Sequence, residues 1–233
     1  KHGQFEDQPA ARKRGLSFEA EFLRWMLSDG AGAIVLQPTP APRGLSLKVE
    51  WIEVRSFADR FPPCMWAGAL KGEDGALGPS WGDWGSFVEA AREGVFDLRQ
   101  DVRMLEDLVK VGVDGFLDLA ERRELEPASI DHVLCHYSSH VFKGKVQELL
   151  VRAGVSIPPE RWFTNLYTRG NVGAASIYLM LEELVNEGHV RPGERVLLVV
   201  PESGRFVTCF ALLTAVGDER AAPRVEVPVA EAP

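Results

Sequence analysis

Two polar side chains lie where a folded α/β protein commonly binds a ligand. His136 ends a short apolar run, residues 130–136, which is predicted to be a buried strand, and open α/β sheets bind ligands at the carboxyl ends of their strands. Asn171 lies in the small-residue stretch 170–176 before a predicted helix, where the backbone can approach a ligand closely. Each also has a structural interpretation, because a strand-end histidine often only packs and an asparagine can cap a helix.

The three cysteines, Cys64, Cys135 and Cys209, show no spacing typical of a metal site or a disulfide framework. We therefore expect reduced thiols, no metal and no bound cofactor. Cys135 directly precedes His136, and neighbouring side chains on a strand point to opposite faces, which argues against a catalytic pair. Cys209 lies in an apolar run and is expected in the core. A reactive thiol at Cys64 has no support from its surroundings.

The composition is that of an ordinary globular protein and excludes several functional classes. The 233 residues are 45% hydrophobic and 26% charged, which is enough material for a domain with a buried core. A net charge of −8 argues against nucleic acid as a partner. There is no apolar run of eighteen residues and no secretory signal at the start, so we expect no membrane association and a cytoplasmic location.

Hydrophobic periodicity predicts a mixed α/β architecture. The predicted strands are residues 45–54, 130–136, 196–200 and 206–216, and the predicted helices are residues 84–93, 102–122, 141–153 and 176–187. In the first strand, the alternation places Leu45, Leu47, Val49 and Trp51 on one face. The alternation of strands and helices along the chain indicates a layered fold.

Turn residues and charge divide the chain into three parts. Residues 1–44 hold a polar start, a small-residue turn at 28–33 that feeds a predicted buried strand at 34–36, and a proline-rich connector. Residues 45–217 form the main domain, which is interrupted near residues 60–100 by an insertion whose first part, residues 60–86, we expect to be irregular. Residues 218–233 are charged and rich in proline and alanine, so they are predicted to be a flexible tail.

Three short motifs, in the right order, resemble the β-ketoacyl-acyl carrier protein synthase III family of the thiolase superfamily. Ser-Asp-Gly-Ala-Gly-Ala at residues 28–33 looks like the family's Gly-Asp-Gly-Ala-Gly-Ala turn, and Cys-His-Tyr-Ser-Ser at 135–139 takes the place of its Pro-His-Gln-Ala-Asn motif. Gly-Asn-Val-Gly-Ala-Ala-Ser at 170–176 is similar to its Gly-Asn-Thr-Ser-Ala-Ala-Ser. The resemblance implies a thiolase-like α/β fold, layered α/β/α with a mixed sheet. The chain would hold its carboxyl-terminal half plus the last strand of the amino-terminal half.

The resemblance also implies roles for individual residues. In the family a histidine and an asparagine bind the thioester carbonyl of the second substrate, which implies catalytic roles for His136 and Asn171. Two such donors stabilise an enolate oxygen, and the loss of one typically costs about 100- to 1000-fold in rate. A backbone N–H of a glycine-rich loop holds the other oxyanion in the family, and Gly204 is the matching candidate. Lys143 and Lys145 are candidates for docking an acidic carrier protein, although a solvated helix face explains them equally well.

The family's nucleophilic cysteine has no counterpart here, because all three cysteines follow residues 28–33 instead of preceding them. We therefore expect an amino-terminal half bearing this cysteine to come from a missing part or a partner chain, and the complete enzyme to be a homodimer. The implied function is a Claisen condensation of acyl thioesters, carried on acyl carrier protein or coenzyme A, in fatty acid or polyketide synthesis. Two alternatives stay open: a non-catalytic scaffold subunit, and an acyltransferase that acts on an alcohol or amine.

Overall fold

Strands and helices alternate through residues 17–217, the part of the chain that the computed structural model describes. The strands are β1 (Leu45–Ser56), β2 (Met65–Trp66), β3 (Ala69–Lys71), β4 (Leu77–Ser80), β5 (Arg99–Gln100), β6 (His132–Cys135), β7 (Trp162–Phe163), β8 (Arg195–Glu202) and β9 (Val207–Gly217). The helices are α1 (Phe18–Met26), α2 (Phe87–Arg92), α3 (Leu105–Arg122), α4 (His140–Arg152), α5 (Leu166–Arg169) and α6 (Ser176–Asn186).

Five of the strands form a central mixed sheet, in the order β1-β9-β8-β6-β7. β1, β9 and β8 pair in antiparallel fashion, whereas β8, β6 and β7 pair in parallel. The carboxyl ends of β6 and β8 therefore lie at the same edge of the sheet. His136 follows β6 at this edge, as the sequence predicts.

Helices cover both faces of the central sheet. α3 and α4 pack on one face, where the buried core includes Phe116, Leu150 and Phe210. α6 packs on the other face, where Met180 contacts a cluster that includes Leu213. Because β6, β8 and β9 are covered on both sides, their sequences are nearly continuous apolar runs. This layering confirms the predicted α/β/α fold class with a mixed sheet.

The prediction that alternate side chains of β1 share one face is wrong beyond Val49, because the strand contains a β-bulge. Val49 pairs with Leu213 and Trp51 pairs with Leu212, so Glu50 has no partner across the ladder. An extra residue in one strand shifts the side-chain alternation that follows it. Trp51 therefore packs on the α3 side of the sheet, opposite to Val49.

The strand predicted at residues 34–36 is not formed. Residues 31–37 are irregular, and Ile34, Val35 and Leu36 are 53%, 89% and 76% exposed. A strand needs a neighbour to satisfy its backbone hydrogen bonds, and none of the described strands pairs with this segment. The apolar sequence of the segment is therefore left uncovered.

The insertion near residues 60–100 contains more regular structure than predicted. β2 pairs with β5, β3 pairs with β4, and α2 lies between β4 and β5. Asp101 ties the end of the insertion to its interior, because its carboxylate accepts hydrogen bonds from Arg103 and from the buried Lys71. These contacts lower the pKa of Asp101 to about 2. Strands of two to four residues are too short for periodicity to predict them.

The remaining predicted elements are found within a few residues of their expected limits. A 3₁₀ turn at Val102–Met104 precedes α3, and the helix predicted at 141–153 is α4. The predicted tail at 218–233 and nearly all of the predicted amino-terminal loop lie outside the described residues. Within residues 17–217, no helix combines the length and the apolar character that a membrane span requires.

Candidate active site

Asn171 lies in a tight turn between α5 and α6. The glycines on either side, Gly170 and Gly173, have positive φ angles of 70° and 61°, which residues with a side chain rarely adopt. The side-chain oxygen of Asn171 accepts a hydrogen bond from the backbone N–H of Gly173 at 3.1 Å. Because the oxygen is held in this way, the amide NH₂ is the part of this side chain that can donate to a ligand.

The small-residue turn at residues 28–33 packs directly against Asn171. The backbone N–H of Ser28 donates to the carbonyl oxygen of Asn171 at 2.7 Å. Gly30 faces Val172 so closely that a Cβ atom at this position would lie 2.8 Å from Cγ1 and 2.9 Å from Cβ of Val172. Two motifs that are about 140 residues apart in the sequence therefore form one packed unit around Asn171. The sequence did not indicate that Ser28 positions Asn171.

His136 is held by the sheet although it lies just beyond β6. Its backbone N–H donates to the carbonyl oxygen of Val199 at 2.9 Å, so strand geometry continues through this residue. Cys135 and Tyr137 both belong to the core cluster under α3 and α4, which places the His136 side chain on the opposite face. Burial lowers the pKa of His136 below its usual 6.5, so the imidazole is neutral at pH 7.

His136 and Asn171 line the same cavity, whose volume is about 260 Å³. The cavity begins at the carboxyl edge of the sheet and extends between the sheet and the helices α3 and α4. Its deeper wall is mainly aliphatic and aromatic, with Phe116, Trp162 and Phe210 among the lining residues. The structure thus brings His136 and Asn171, which come from separate parts of the chain, to one cavity.

Comparison with known proteins finds that this chain is similar to one class of enzyme. Residues 120–213 match the family described as 3-oxoacyl-[acyl-carrier-protein] synthase III C terminal. The β-ketoacyl-[acyl-carrier-protein] synthase III of Symbiobacterium thermophilum is 27% identical over 193 residues, which is 80% of this chain and 51% of the relative. The chain is therefore similar to synthase III enzymes. The same-named enzyme of Clostridium perfringens is 28% identical over 90 residues, which is 39% of this chain and 26% of the relative.

A solved structure shows the fold of this chain. β-Ketoacyl-[acyl-carrier-protein] synthase III from Thermus thermophilus superposes with a TM-score of 0.53 at 23% identity, over 71% of this chain and 46% of that enzyme. The fold is therefore thiolase-like, as predicted. The chain spans about half the length, or less, of the curated relatives that it matches.

The three cysteines of this chain all lie in the described residues, and all three thiols have raised pKa values. Burial raises the pKa of Cys135 to about 12, and burial followed by the charge of Asp101 raises that of Cys64 to about 11. Burial also raises the pKa of Cys209. The thiolate is the nucleophilic form of cysteine, so these thiols are poorly suited to take an acyl group at pH 7.

The loop at residues 201–205, between β8 and β9, carries the predicted oxyanion residue Gly204. Its backbone N–H donates to the Glu202 carboxylate, and that of Arg205 donates to the same carboxylate at 3.1 Å. Gly204 can therefore offer its N–H to a substrate only if Glu202 moves. The contact between Glu202 and Gly204 depends on the turn geometry, which the sequence does not predict.

The insertion near residues 60–100 forms hydrogen bonds to this loop. The carbonyl oxygen of Gly204 accepts a hydrogen bond from the backbone N–H of Cys64 at 3.1 Å, and the Gln100 amide donates to the Ser203 hydroxyl at 3.0 Å. Both donors come from the segment around residues 60–100. The insertion therefore supports the site, although it contributes neither of the predicted catalytic side chains.

The two predicted docking lysines both have partners within the chain. The Lys145 ammonium forms an ion pair with Glu106 at 2.7 Å, and the Lys143 ammonium donates to the carbonyl oxygen of Trp162 at 3.5 Å. Carrier docking through them stays a prediction. Among residues 17–217, no three His, Cys, Asp or Glu side chains are arranged to hold a metal ion.

Proposed function

We propose that this chain forms one half of an acyl-thioester condensing site, in which His136 and Asn171 bind the thioester oxygen of the nucleophilic substrate. The observation that carries the proposal is that both residues line one cavity. The imidazole there is neutral because burial lowers its pKa. The carboxamide oxygen is bound to Gly173, which leaves the NH₂ as a donor. Two neutral donors stabilise an enolate oxygen without a fixed positive charge.

The reaction would proceed by a carbon–carbon bond-forming step. Loss of carbon dioxide or of a proton from the α-carbon of one thioester gives an enolate, whose oxygen accepts hydrogen bonds from His136 and Asn171. The α-carbon then attacks the carbonyl of an acyl group bound to a cysteine. The new carbon–carbon bond forms, the bond between the acyl carbon and the cysteine sulfur breaks, and the sulfur leaves as a thiolate.

The cysteine would come from an amino-terminal thiolase-like half, supplied by a missing part of the protein or by a partner chain. Two uncovered apolar regions support such a partner. Ile52 and Val54 of β1 are 59% and 61% exposed on the face that α6 covers only in part. The segment around Val35, which is 89% exposed, has the sequence of a buried strand but no pairing partner among the described strands. Large exposed apolar surfaces mark protein interfaces.

The complete enzyme would use acyl groups carried on acyl carrier protein or coenzyme A and would form a homodimer. The relatives named above are β-ketoacyl-[acyl-carrier-protein] synthases, and this name supports the carrier protein. Phosphopantetheine thioesters are common to both carriers, so the chemistry at His136 is the same for either.

The test is a condensation assay with the chain co-expressed with a cysteine-bearing amino-terminal half. We expect His136→Ala and Asn171→Ala each to lower the rate of product formation by about 100- to 1000-fold. The matched control is His189→Ala, because His189 is half-exposed, pairs with Glu187 and does not line the cavity. Equal rates for His136→Ala and His189→Ala would refute the proposal.

A second candidate function is that of a scaffold subunit that stabilises an active partner without catalysis. The specific observation in its favour is the Glu202 carboxylate, which occupies the N–H of Gly204. The same assay separates the two functions. A scaffold keeps its partner's activity after His136→Ala, whereas a catalytic half loses it.

A further inference from the structure

The turn that carries Asn171 follows α5, which is a single turn of helix at Leu166–Arg169. The backbone N–H of Gly170 closes this helix with a hydrogen bond to the carbonyl oxygen of Leu166 at 3.0 Å. Helices shorter than about 12 residues are marginal in water, so α5 needs contacts with other parts of the chain. Leu166 packs against the core cluster and Tyr167 stacks on His140, which fixes α5 on the side of α4.

On the side of α6, one carboxylate joins both ends of α5. Oε2 of Glu183 accepts a hydrogen bond from the side-chain NH₂ of Asn165 at 2.9 Å and another from Nε of Arg169 at 3.2 Å. Asn165 directly precedes α5, and Arg169 is its last residue. The Glu183 side chain is 17% exposed and Asn165 is 7% exposed. The bond between these two residues is therefore largely shielded from water, which strengthens a hydrogen bond to a charged group.

The turn around Asn171 is tied to α6 on both of its sides. On one side, Arg169 is separated from Asn171 by Gly170 alone, and Arg169 bonds to Glu183 of α6. On the other side, the backbone N–H of Val172 donates to the hydroxyl of Ser176, the first residue of α6, at 3.2 Å. The position of Asn171 relative to α6 therefore depends on Glu183 as well as on the start of the helix.

We propose that Glu183 is a positioning residue for Asn171. By holding both ends of α5 against α6, it places the Asn171 carboxamide where this group donates to the thioester oxygen. The role of Asn171 as that donor rests on the function proposed above. Glu183 does not line the cavity, so it acts through Asn171 and not on the substrate. A displacement of about 1 Å in a group that acts on the reacting atoms can reduce a rate about 100-fold.

The kinetic test measures condensation by the chain co-expressed with a cysteine-bearing amino-terminal half. Glu183→Ala should lower kcat by about 10- to 100-fold, which is less than the loss expected without the donor itself. KM should change by less than about 2-fold, because the donor acts in the transition state. Glu183→Gln keeps an oxygen that accepts both hydrogen bonds, so its kcat should stay within about 3-fold of the wild-type value.

The matched control for Glu183→Ala is Glu182→Ala. Glu182 is the neighbouring glutamate on α6, is exposed, and bonds only within the helix, to Asn186. This substitution removes a carboxylate from α6 without touching α5, so the wild-type kcat should be kept. Equal rates for Glu183→Ala and Glu182→Ala would overturn the proposal.

A double-mutant cycle separates positioning from a general loss of structure. Residues that act as a unit have non-additive effects on rate. In an Asn171→Ala background, Glu183→Ala should therefore lower the rate by less than about 2-fold more, since the group that it positions is already absent. A further loss of about 10- to 100-fold in that background would show that Glu183 acts independently of Asn171, and this contradicts the proposal.

NMR of the full 233-residue chain tests the position of the carboxamide without any condensation. The side-chain NH₂ resonances of Asn171 are identified by their loss in Asn171→Ala. Glu183→Ala should shift or broaden these resonances, whereas Glu183→Gln and Glu182→Ala should leave them unchanged. Unchanged resonances in a Glu183→Ala chain that a urea melt shows to be folded would refute the proposal.

Glu183→Asp replaces Glu183→Ala in both tests if the alanine variant does not fold. Its carboxylate is one methylene group shorter, so it cannot hold both ends of α5 as Glu183 does, and the same changes should appear at smaller size. Wild-type kcat and wild-type Asn171 resonances in Glu183→Asp would then count against the role of Glu183. An inactive wild-type complex would count against the function proposed above, and the NMR comparison would still decide whether Glu183 positions Asn171.

Discussion

The contact between Gly30 and Val172 predicts that one added methyl group will disturb the candidate site. A Cβ atom at position 30 would lie 2.8 Å from Cγ1 and 2.9 Å from Cβ of Val172. Carbon atoms pack best at about 3.5–4.0 Å, so Gly30→Ala requires a shift of about 0.7 Å or more. A rotamer change of Val172 cannot remove the clash, because its Cβ atom is fixed to the backbone. The backbone next to Asn171 must therefore move.

The size of the effect follows from overpacking and from the position of the clash. Inserting a methyl group into a packed contact costs about 1–3 kcal/mol. Replacing glycine by alanine returns about 0.4–1 kcal/mol through the unfolded state, so the docking of residues 28–33 should weaken by about 1–2 kcal/mol. A displacement of about 1 Å in a catalytic group can reduce a rate about 100-fold. We expect condensation to slow by about 10-fold or more in Gly30→Ala.

The assay combines hydrogen exchange of the Ser28 amide with the condensation rate of the co-expressed enzyme. The Ser28 N–H is protected by its hydrogen bond to Asn171, so its exchange should speed up when the turn is displaced. The matched control is Gly144→Ala in α4, because a Cβ atom there would meet nothing within 4 Å and should raise helix stability by about 1 kcal/mol. If Gly30→Ala and Gly144→Ala show the same Ser28 exchange and the same rate, the packed unit around Asn171 does not position it.

Three further predictions concern titration, a buried ion pair and the thiols. The His136 imidazole should titrate below pH 6.5 by NMR, because burial lowers its pKa. Its contribution to stability is then full above pH 6.5 and falls as the pH drops. A pKa of 6.5 or higher contradicts this prediction. Asp101→Asn leaves the buried Lys71 ammonium uncompensated and should lower the free energy of unfolding by about 3–5 kcal/mol in urea melts. The free energy of unfolding of the wild-type protein should fall as the pH drops from about 4 to about 2, since the pKa of Asp101 is lowered to about 2. An unchanged melt in either experiment argues against the ion pair. Cys64 and Cys135 should react with a thiol reagent at pH 8 far more slowly in the folded chain than in urea, because their pKa values are raised to about 11 and about 12; equal rates would be inconsistent with their burial.

The layered fold and the strand-end position of His136 could be predicted because they depend on local patterns. The apolar run before His136 is long enough to predict a buried strand, and its side chains alternate between the two core clusters, with Val133 and Cys135 on one face and Leu134 on the other. The pairing of His136 with Asn171 was predicted from motif order. The structure adds that both line one cavity.

Other features could not be predicted, because they depend on contacts between distant parts of the chain. The bulge at Glu50 is set by pairing with β9, and no residue type in β1 predicts it. The contact between Ser28 and Asn171 and the contact between Glu183 and Asn165 appear only after the chain has folded. The run at residues 34–36 has the composition of a buried strand, but composition does not tell whether a partner strand lies beside it.

The sheet separates the site into two sides, and this separation assigns a role to the loop at residues 201–205. His136 lies on the face that α6 covers in part, where Ile52 and Val54 are exposed, and a cysteine-bearing half would have to cover that face to reach it. Thr208 lies on the opposite face, under α3. The loop at residues 201–205 lies at the edge of the sheet between these two faces. The hydrogen bonds from the insertion fix the loop there. Movement of Glu202 would free the backbone N–H of Gly204 to act as an oxyanion donor.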